Sequence, residues 1–328
     1  MSRTTLSDLT EIGFHARLSQ LLPAAHLGHL PIGDDAAALP IGRGRSLVVT
    51  TDAVVEGTHF PRGTEPRRVG RLAANVNLSD LASKGAAPLG LLSTLLLSPE
   101  TETAWAEGVT RGIEEAAARH GIHLVGGDTK RSRERAIAVT AFGSARTRNL
   151  MPRTAARPGD LLAVTGVVGR GGAAYLAWKE GVGPRRTSLH RLLDVTPRLA
   201  EGKVLGGAAH AAIDTSDGLA RSVSLLTAAS RVSATIEFDR IPFDPWVGRV
   251  ASRLEMDEGV VAFLGGDYEL LVALPPAALA RTQAAIARAG GRLTVIGKVG
   301  RRGPNLLVRG GGPLPLPDIG WDAFSRVP

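Results

Sequence analysis

Seven aspartates of this 328-residue chain stand apart from its other charged residues. Asp34, Asp35, Asp52, Asp80, Asp128, Asp214 and Asp217 lie among Gly, Ser, Thr and apolar residues. Their contexts are PIGDDAAAL, VVTTDAVVEGTHF, NVNLSDLASKG, LVGGDTK and AAIDTSDGLA. Asp52, Asp128 and Asp214 directly follow apolar, strand-like runs. A carboxylate at the end of a buried strand costs free energy unless it is paired or bound to a cation. Few lysines stand nearby to pair with them. A hard divalent cation would compensate them, and Mg2+ suits a few carboxylates plus waters and substrate phosphates. Each aspartate taken singly also reads as a helix cap or turn residue. Five such contexts in one chain point to a polycarboxylate metal site.

Phosphate-binding patterns are sparser. Neither Gly202-Lys203 nor Gly297-Lys298 has a glycine five positions earlier, so the phosphate loop G-x4-G-K-[ST] is absent. Gly169-Arg170-Gly171-Gly172-Ala173-Ala174 fits G-x-G-x-x-A, but the pattern is weak in a chain with 40 glycines. It reads as a glycine turn whose N–H groups could hold an anion, or as a tight turn for close packing. His59, seven residues after Asp52, is a ligand or a structural histidine. Arg153 is a phosphate clamp or a solvated linker residue. Gly265-Gly266-Asp267-Tyr268-Glu269 sets two acids at the start of a strand.

These residues need elements to place them. Ser46–Thr51, Leu89–Leu97, Ile122–Val125 and Ala136–Gly143 read as buried strands. Val69–Lys84 has helical spacing and stops at Gly85. A second helix is expected from Ser98-Pro99 to about Gly121, with Ser as cap. The Arg-rich stretch Ser144–Arg157 marks a boundary, giving domains of residues 1–148 and 149–328. The second half is expected to hold strands at Leu161–Thr165, Ala234–Phe238, Glu269–Leu274, Thr294–Val299 and Asn305–Arg309. Helices are expected from about Gly172 and over Pro276–Ala289. The fold class is α/β with α+β character, in two halves of similar size.

Composition narrows the function. With no cysteine there is no disulfide, thiolate metal site or cysteine nucleophile. The strongest apolar stretch, Leu89–Leu97, is broken by Ser93 and Thr94 and is far short of the roughly 20 residues of a membrane span. Residues 1–18 have scattered charges and no apolar core, so a cytoplasmic protein without a secretory leader is expected. Lys+Arg 39 against Asp+Glu 31 gives a net charge of +8, of which 34 basic residues are Arg and 5 Lys. They are dispersed and not interleaved with aromatics, so no nucleic-acid or membrane partner is expected.

GDDAA, TTDAVVEGTHF, VNLSDLAS-x-G, GGDT, R-x5-GD-x4-TG, IDTSDGL and GGDYEL occur in that order between about residues 33 and 270. Together they resemble the thiamine-monophosphate kinase family, of the superfamily that includes aminoimidazole ribonucleotide synthetase and selenophosphate synthetase. The resemblance implies a two-domain aminoimidazole ribonucleotide synthetase-like fold whose N-terminal sheet forms a dimer barrel. It implies ATP as co-substrate, several Mg2+, and direct phosphoryl transfer to thiamine monophosphate, giving thiamine diphosphate and ADP. The implied metal ligands are Asp35, Thr50, Thr51, Asp52, Asp80, Asp128, Asp214 and Asp217, with Asp34 beside them. Gly127, Asp128, Arg153 and Ser216 would contact ATP, and His59 the thiamine phosphate. The family usually has one more acid in GGDYEL, so Asp267 becomes a substrate-side candidate, as does Trp321 for a pocket-closing aromatic. No general base is nominated, because the attacking phosphate oxygen is already ionised. The alternatives are another ATP-dependent phosphotransferase or synthetase of the superfamily, and a non-catalytic nucleotide-binding dimer.

Overall fold

The computed structural model describes Leu6, residues 11–22 and residues 28–324. After α1 (Glu11–Leu21), five strands form the first sheet: β1 (Ala37–Pro40), β2 (Arg45–Val55), β3 (Ala87–Leu97), β4 (Leu124–Arg131) and β5 (Ala136–Arg146). Their order is β1-β2-β5-β3-β4, with β4 parallel to β3 and every other pairing antiparallel. Helices α2 (Pro66–Ser83) and α3 (Thr103–Ala118) cover one face. Val48, Val54, Leu91, Ile137 and Val139 point to them and meet Val69, Leu72, Val109 and Ile113. Burying each such side chain stabilises by about 1.5–3 kcal/mol. The alternate residues turn away from the helices, leaving Leu39 and Leu92 47% and 41% exposed.

The second sheet has seven strands: β6 (Leu161–Thr165), β7 (Ala211–Asp214), β8 (Ser233–Glu237), β9 (Leu270–Leu274), β10 (Leu293–Gly300), β11 (Leu306–Arg309) and β12 (Gly312–Pro315). Their order is β12-β11-β8-β10-β6-β9-β7. Only β11 and β8 pair in parallel. Neighbouring residues of β6 serve opposite faces. Leu162 and Val164 pack under α4 (Arg170–Lys179), α7 (Leu219–Ser230), α8 (Pro245–Leu254) and α9 (Glu258–Ala262). Ala163 faces α6 (Leu199–Leu205) and α10 (Leu279–Arg288). α5 (Arg185–Leu193) leans on α4 and lends Leu193 to the core of the first sheet.

The two halves meet at the end of α2. Ala82 shares a core with Met151, Leu205, Ala212 and Val272. A Cβ on Gly202 would lie 2.2 Å from the Ala82 carbonyl oxygen, so glycine is what lets α6 approach α2 so closely.

Three sequence expectations change. Ser98 and Pro99 open a turn closed by Thr101 N–H on the Ser98 carbonyl, and the helix begins at Thr103. Proline presets the second position of such a turn as readily as a helix start. The helix expected over Pro276–Ala289 divides into a 3-10 turn, Pro276–Ala278, and α10. Asp52 and Asp128 do not follow strands but lie within β2 and β4. β2 pairs with β5 over eleven residues, Arg45 to Val55, and that pairing extends it past the apolar run.

Candidate metal centre

The turn before β1, α2 and β7 bring three carboxylates together between the sheets. Asp35, Asp80 and Asp214 each present an oxygen within 4.8 Å of the others. Thr50, facing α2, donates its one hydroxyl proton to Asp80 Oδ2 at 2.7 Å, with the Asp35 carbonyl an alternative acceptor at 3.1 Å. One residue back on α2, Ser79 donates to Asp214 Oδ2 at 2.7 Å across the domain junction. Ser216 donates to Asp214 Oδ1 at 2.7 Å. Ser83 donates to Asp35 Oδ2 at 2.5 Å. Each carboxylate is thus oriented by a hydroxyl from a packed element.

The charges are unevenly balanced. Asp35 pays for burial, but Arg153 and Lys84 more than offset that, and its carboxyl is held well below the usual range. Burial, then repulsion from Asp214, Asp52 and Asp35, raises the Asp80 pKa well above its ordinary value. Burial and then Asp35 push Asp214 up to about 6. Among the described residues, neither Asp80 nor Asp214 ion-pairs with a basic group. An all-oxygen donor set carrying uncompensated charge fits a hard divalent cation.

The other expected site residues distribute around this cluster. Asp52 adds to the repulsion on Asp80, and its N–H donates to Asn77 Oδ1 at 2.8 Å. Thr51 is a correction. Its hydroxyl lies on the outer face of the sheet, donating to the Val139 carbonyl at 3.2 Å and accepting from Thr140 at 3.1 Å. Strand alternation sends neighbours Thr50 and Thr51 to opposite faces. Asp128 is a second correction. It shares a sheet row with Thr94, Ala138 and Ala53, one residue out of step with Asp52, and so projects from the outer face. There it pairs with Lys130 at 2.9 Å, 52% exposed, while Gly127 shares the Asp52 row at the sheet edge. Within one chain it does not join the cluster.

Asp217 lies in the turn after β7, and its carbonyl accepts the Trp321 N–H at 3.0 Å. That contact ties the Trp321 backbone to the turn after β7. His59 sits in the turn after β2, with Nδ1 accepting the Val55 N–H at 3.1 Å. Asp34 accepts the Arg153 N–H at 2.9 Å. The Arg153 guanidinium donates to Gly33 O at 2.6 Å and to Asp35, and its buried Nε finds no hydrogen-bond acceptor among the described residues.

Asp267 is placed otherwise than expected. Its carboxylate accepts the N–H groups of Gly169 and Gly171, at 2.7 and 2.8 Å. The glycine turn therefore does hold an anion, and it is a carboxylate of the chain itself. Burial raises this group to about 7 despite both bonds. Its neighbour Tyr268 has φ +55°, a left-handed backbone that bulky residues rarely adopt, and its ring packs on the core of the first sheet.

The sequence reading passed over Ser79, Ser83, Lys84 and Tyr268. The two serines carried a signal: Asn75, Ser79 and Ser83 recur every four residues, so they share one face of the helix, and polar groups buried there require partners.

The two-sheet fold and its acid cleft define an AIR synthase related protein. The family's N-terminal domain model matches residues 33–145 and its C-terminal domain model residues 157–308. The thiamine-monophosphate kinase of Synechococcus elongatus is 34% identical over 313 residues, covering 91% of each chain. That of Escherichia coli is 32% identical over 304 residues, covering 90% of this chain and 92% of the other. The chain belongs to the thiamine-monophosphate kinase family. A solved structure named AaThiL complexed with AMPPCP and TMP superposes with a TM-score of 0.86 at 26% identity, covering 98% of this chain and all of that one. The hydrogenase maturation protein HypE shares the fold, with a TM-score of 0.67 at 23% identity over 87% of this chain and 91% of that one. Among the described residues no helix is long and apolar enough to cross a membrane.

Proposed function

We propose that this chain transfers the γ-phosphoryl group of ATP to the phosphate of thiamine monophosphate, giving thiamine diphosphate and ADP. The observation that carries this reading is the convergence of Asp35, Asp80 and Asp214 from both halves of the molecule. Donor and acceptor are both anionic, so their approach needs charge neutralisation and positioning more than covalent chemistry. Bound Mg2+ ions would neutralise the phosphates and align the transferred group. The chain's own part is to hold them: Asp35, Asp80 and Asp214 with Asp52 and Asp217 around them, Thr50 through its hydroxyl, and Thr51 through its backbone only. No residue is asked to remove a proton.

Ser216 and Arg153 would contact ATP, and His59 and Trp321 the thiamine phosphate. Asp267 instead braces the glycine turn. The division into residues 1–148 and 149–328 separates the two sheets. A homodimer would cover the outer face of the first sheet, where Leu39 and Leu92 are exposed. It would also give Gly127 and Asp128 a role, completing the acid cluster of a second copy from the sheet edge. A cytoplasmic location accords with the use of ATP.

The test is product analysis. Protein incubated with ATP, Mg2+ and thiamine monophosphate should form thiamine diphosphate and ADP in equal amounts, with neither formed in EDTA or with thiamine as acceptor. ATP binding without thiamine diphosphate would move the reading to another acceptor or to a nucleotide-binding dimer.

A further inference from the structure

Lys84 is fully buried at the end of α2. Its ammonium has three donors and four oxygens around it. Asp34 Oδ1 lies at 2.5 Å, Ala212 O at 2.8 Å, Asp35 Oδ2 at 2.9 Å and Met151 O at 3.3 Å. These come from the turn before β1, from β7 and from the segment joining the two sheets. Arg153 pairs with the same two acids. Two cations and two carboxylates thus form a neutral set that stands without any ligand. Asp80 and Asp214 are outside it.

Lys84 is tied to every member of the carboxylate cluster. Asp80 precedes it by one helical turn. Asp35 pairs with it directly. Ala212, whose carbonyl it holds, lies two residues before Asp214 on the same strand. We propose that Lys84 is a positioning residue of the metal centre. Its ammonium fixes Asp35 where that carboxylate can share a cation with Asp80 and Asp214, against their mutual repulsion. This rests on the metal reading of the cluster but not on the identity of the phosphoryl acceptor.

Positioning and simple charge predict opposite signs. If Lys84 acted only as a nearby positive charge, its removal would leave the cluster more negative and tighten Mg2+ binding. If it positions Asp35, its removal weakens binding. The experiment is calorimetric titration of the whole chain with Mg2+, and of Mn2+ by paramagnetic resonance, without nucleotide or thiamine phosphate. Lys84→Met keeps the length and removes the charge. It should raise the half-saturating Mg2+ concentration by about tenfold or more. Unchanged or tighter binding in a folded Lys84→Met protein would overturn the proposal. Should that variant fail to fold, Lys84→Met combined with Asp34→Asn removes one buried charge of each sign and leaves the net charge unchanged. Charge alone then predicts unchanged Mg2+ affinity and positioning predicts weaker binding, so unchanged affinity in the folded double variant would overturn the proposal. A wild-type protein that takes up neither ion sinks the metal reading itself, and this role with it.

Discussion

Ser79 on α2 donates its hydroxyl to Asp214 at the end of β7, 2.7 Å away, and so hydrogen-bonds one half of the molecule to the other at the acid cluster. Asp80, the next residue on α2, faces Asp214 across the same junction. The bond aligns Asp214 but leaves the repulsion between the two carboxylates in place. A site kept for binding cations is therefore a site of stored instability when they are absent. Asp80→Asn should relieve that repulsion. The variant should melt at a higher temperature than the wild type in EDTA, and turn over ATP at least roughly a hundredfold more slowly in Mg2+. Melting curves in EDTA together with steady-state rates decide it. A variant both less stable in EDTA and fully active would contradict the placement of Asp80.

The same charges set a pH dependence. Asp214 is raised from 3.8 to about 6, and Asp80 is raised as well. Without metal the folded state keeps protons that the unfolded chain releases. Stability from these two groups is complete below about pH 4 and is lost as pH rises through the folded values. A bound divalent cation needs both groups ionised and displaces those protons. The rise in melting temperature on adding Mg2+ should therefore grow between about pH 5 and pH 8. Asp35, held low by Arg153 and Lys84, titrates below this window in either state and drops out of the comparison. Scans with EDTA and with Mg2+ across that range test this, and an increment that is flat or shrinks with pH would count against it.

Asp267 stands in GGDYEL, a position that marks it from sequence as a substrate contact. The structure gives both its oxygens to the glycine turn. Asp267→Asn retains one acceptor and turns an N–H2 toward a backbone N–H, leaving a buried donor unpaired. That should cost about 1–3 kcal/mol of stability. The KM for thiamine monophosphate should stay within roughly twofold, because the side chain is not offered to the substrate. Denaturant unfolding and the KM, measured side by side, separate the roles. A large KM rise with unchanged stability would return Asp267 to the substrate.

How far the site was legible depends on which property each residue reports. Aspartates in apolar and glycine-rich contexts are costly wherever they fold, so their grouping showed in the sequence before any partner was known. Which face each side chain occupies depends on strand register, and that is set by partners distant in the chain. Thr50 and Thr51 are adjacent and chemically alike, yet pairing with β5 sends one to Asp80 and the other to the outer face. Lys84 was illegible for a different reason. A lysine next to a helix-ending glycine reads as a solvated cap, and only the approach of Asp34, Asp35 and Ala212 buries it. The paired strands β2, β3 and β5 were visible as apolar runs, but the ends of β2 and β5 were not, because pairing carried them beyond those runs.

Asp128 carries the last prediction. It sits on the outer face at the sheet edge, away from the cluster of its own chain. If it serves the site of a second copy, its loss can be repaired by a subunit with a different lesion. Asp80→Asn and Asp128→Asn homodimers should each be nearly inactive. In a mixed dimer, the Asp128→Asn subunit keeps its own Asp80 and receives Asp128 from its partner, so one of the two sites is intact. Random assembly of equal amounts makes half the dimers mixed, and activity should return to about a quarter of the wild-type level. If Asp128 serves its own chain, every site in the mixture lacks one aspartate or the other, and no activity returns. Co-refolding the two variants and measuring ADP release distinguishes these outcomes. Absence of recovery, with mixed dimers demonstrated by differential tagging, would place the function of Asp128 within its own subunit.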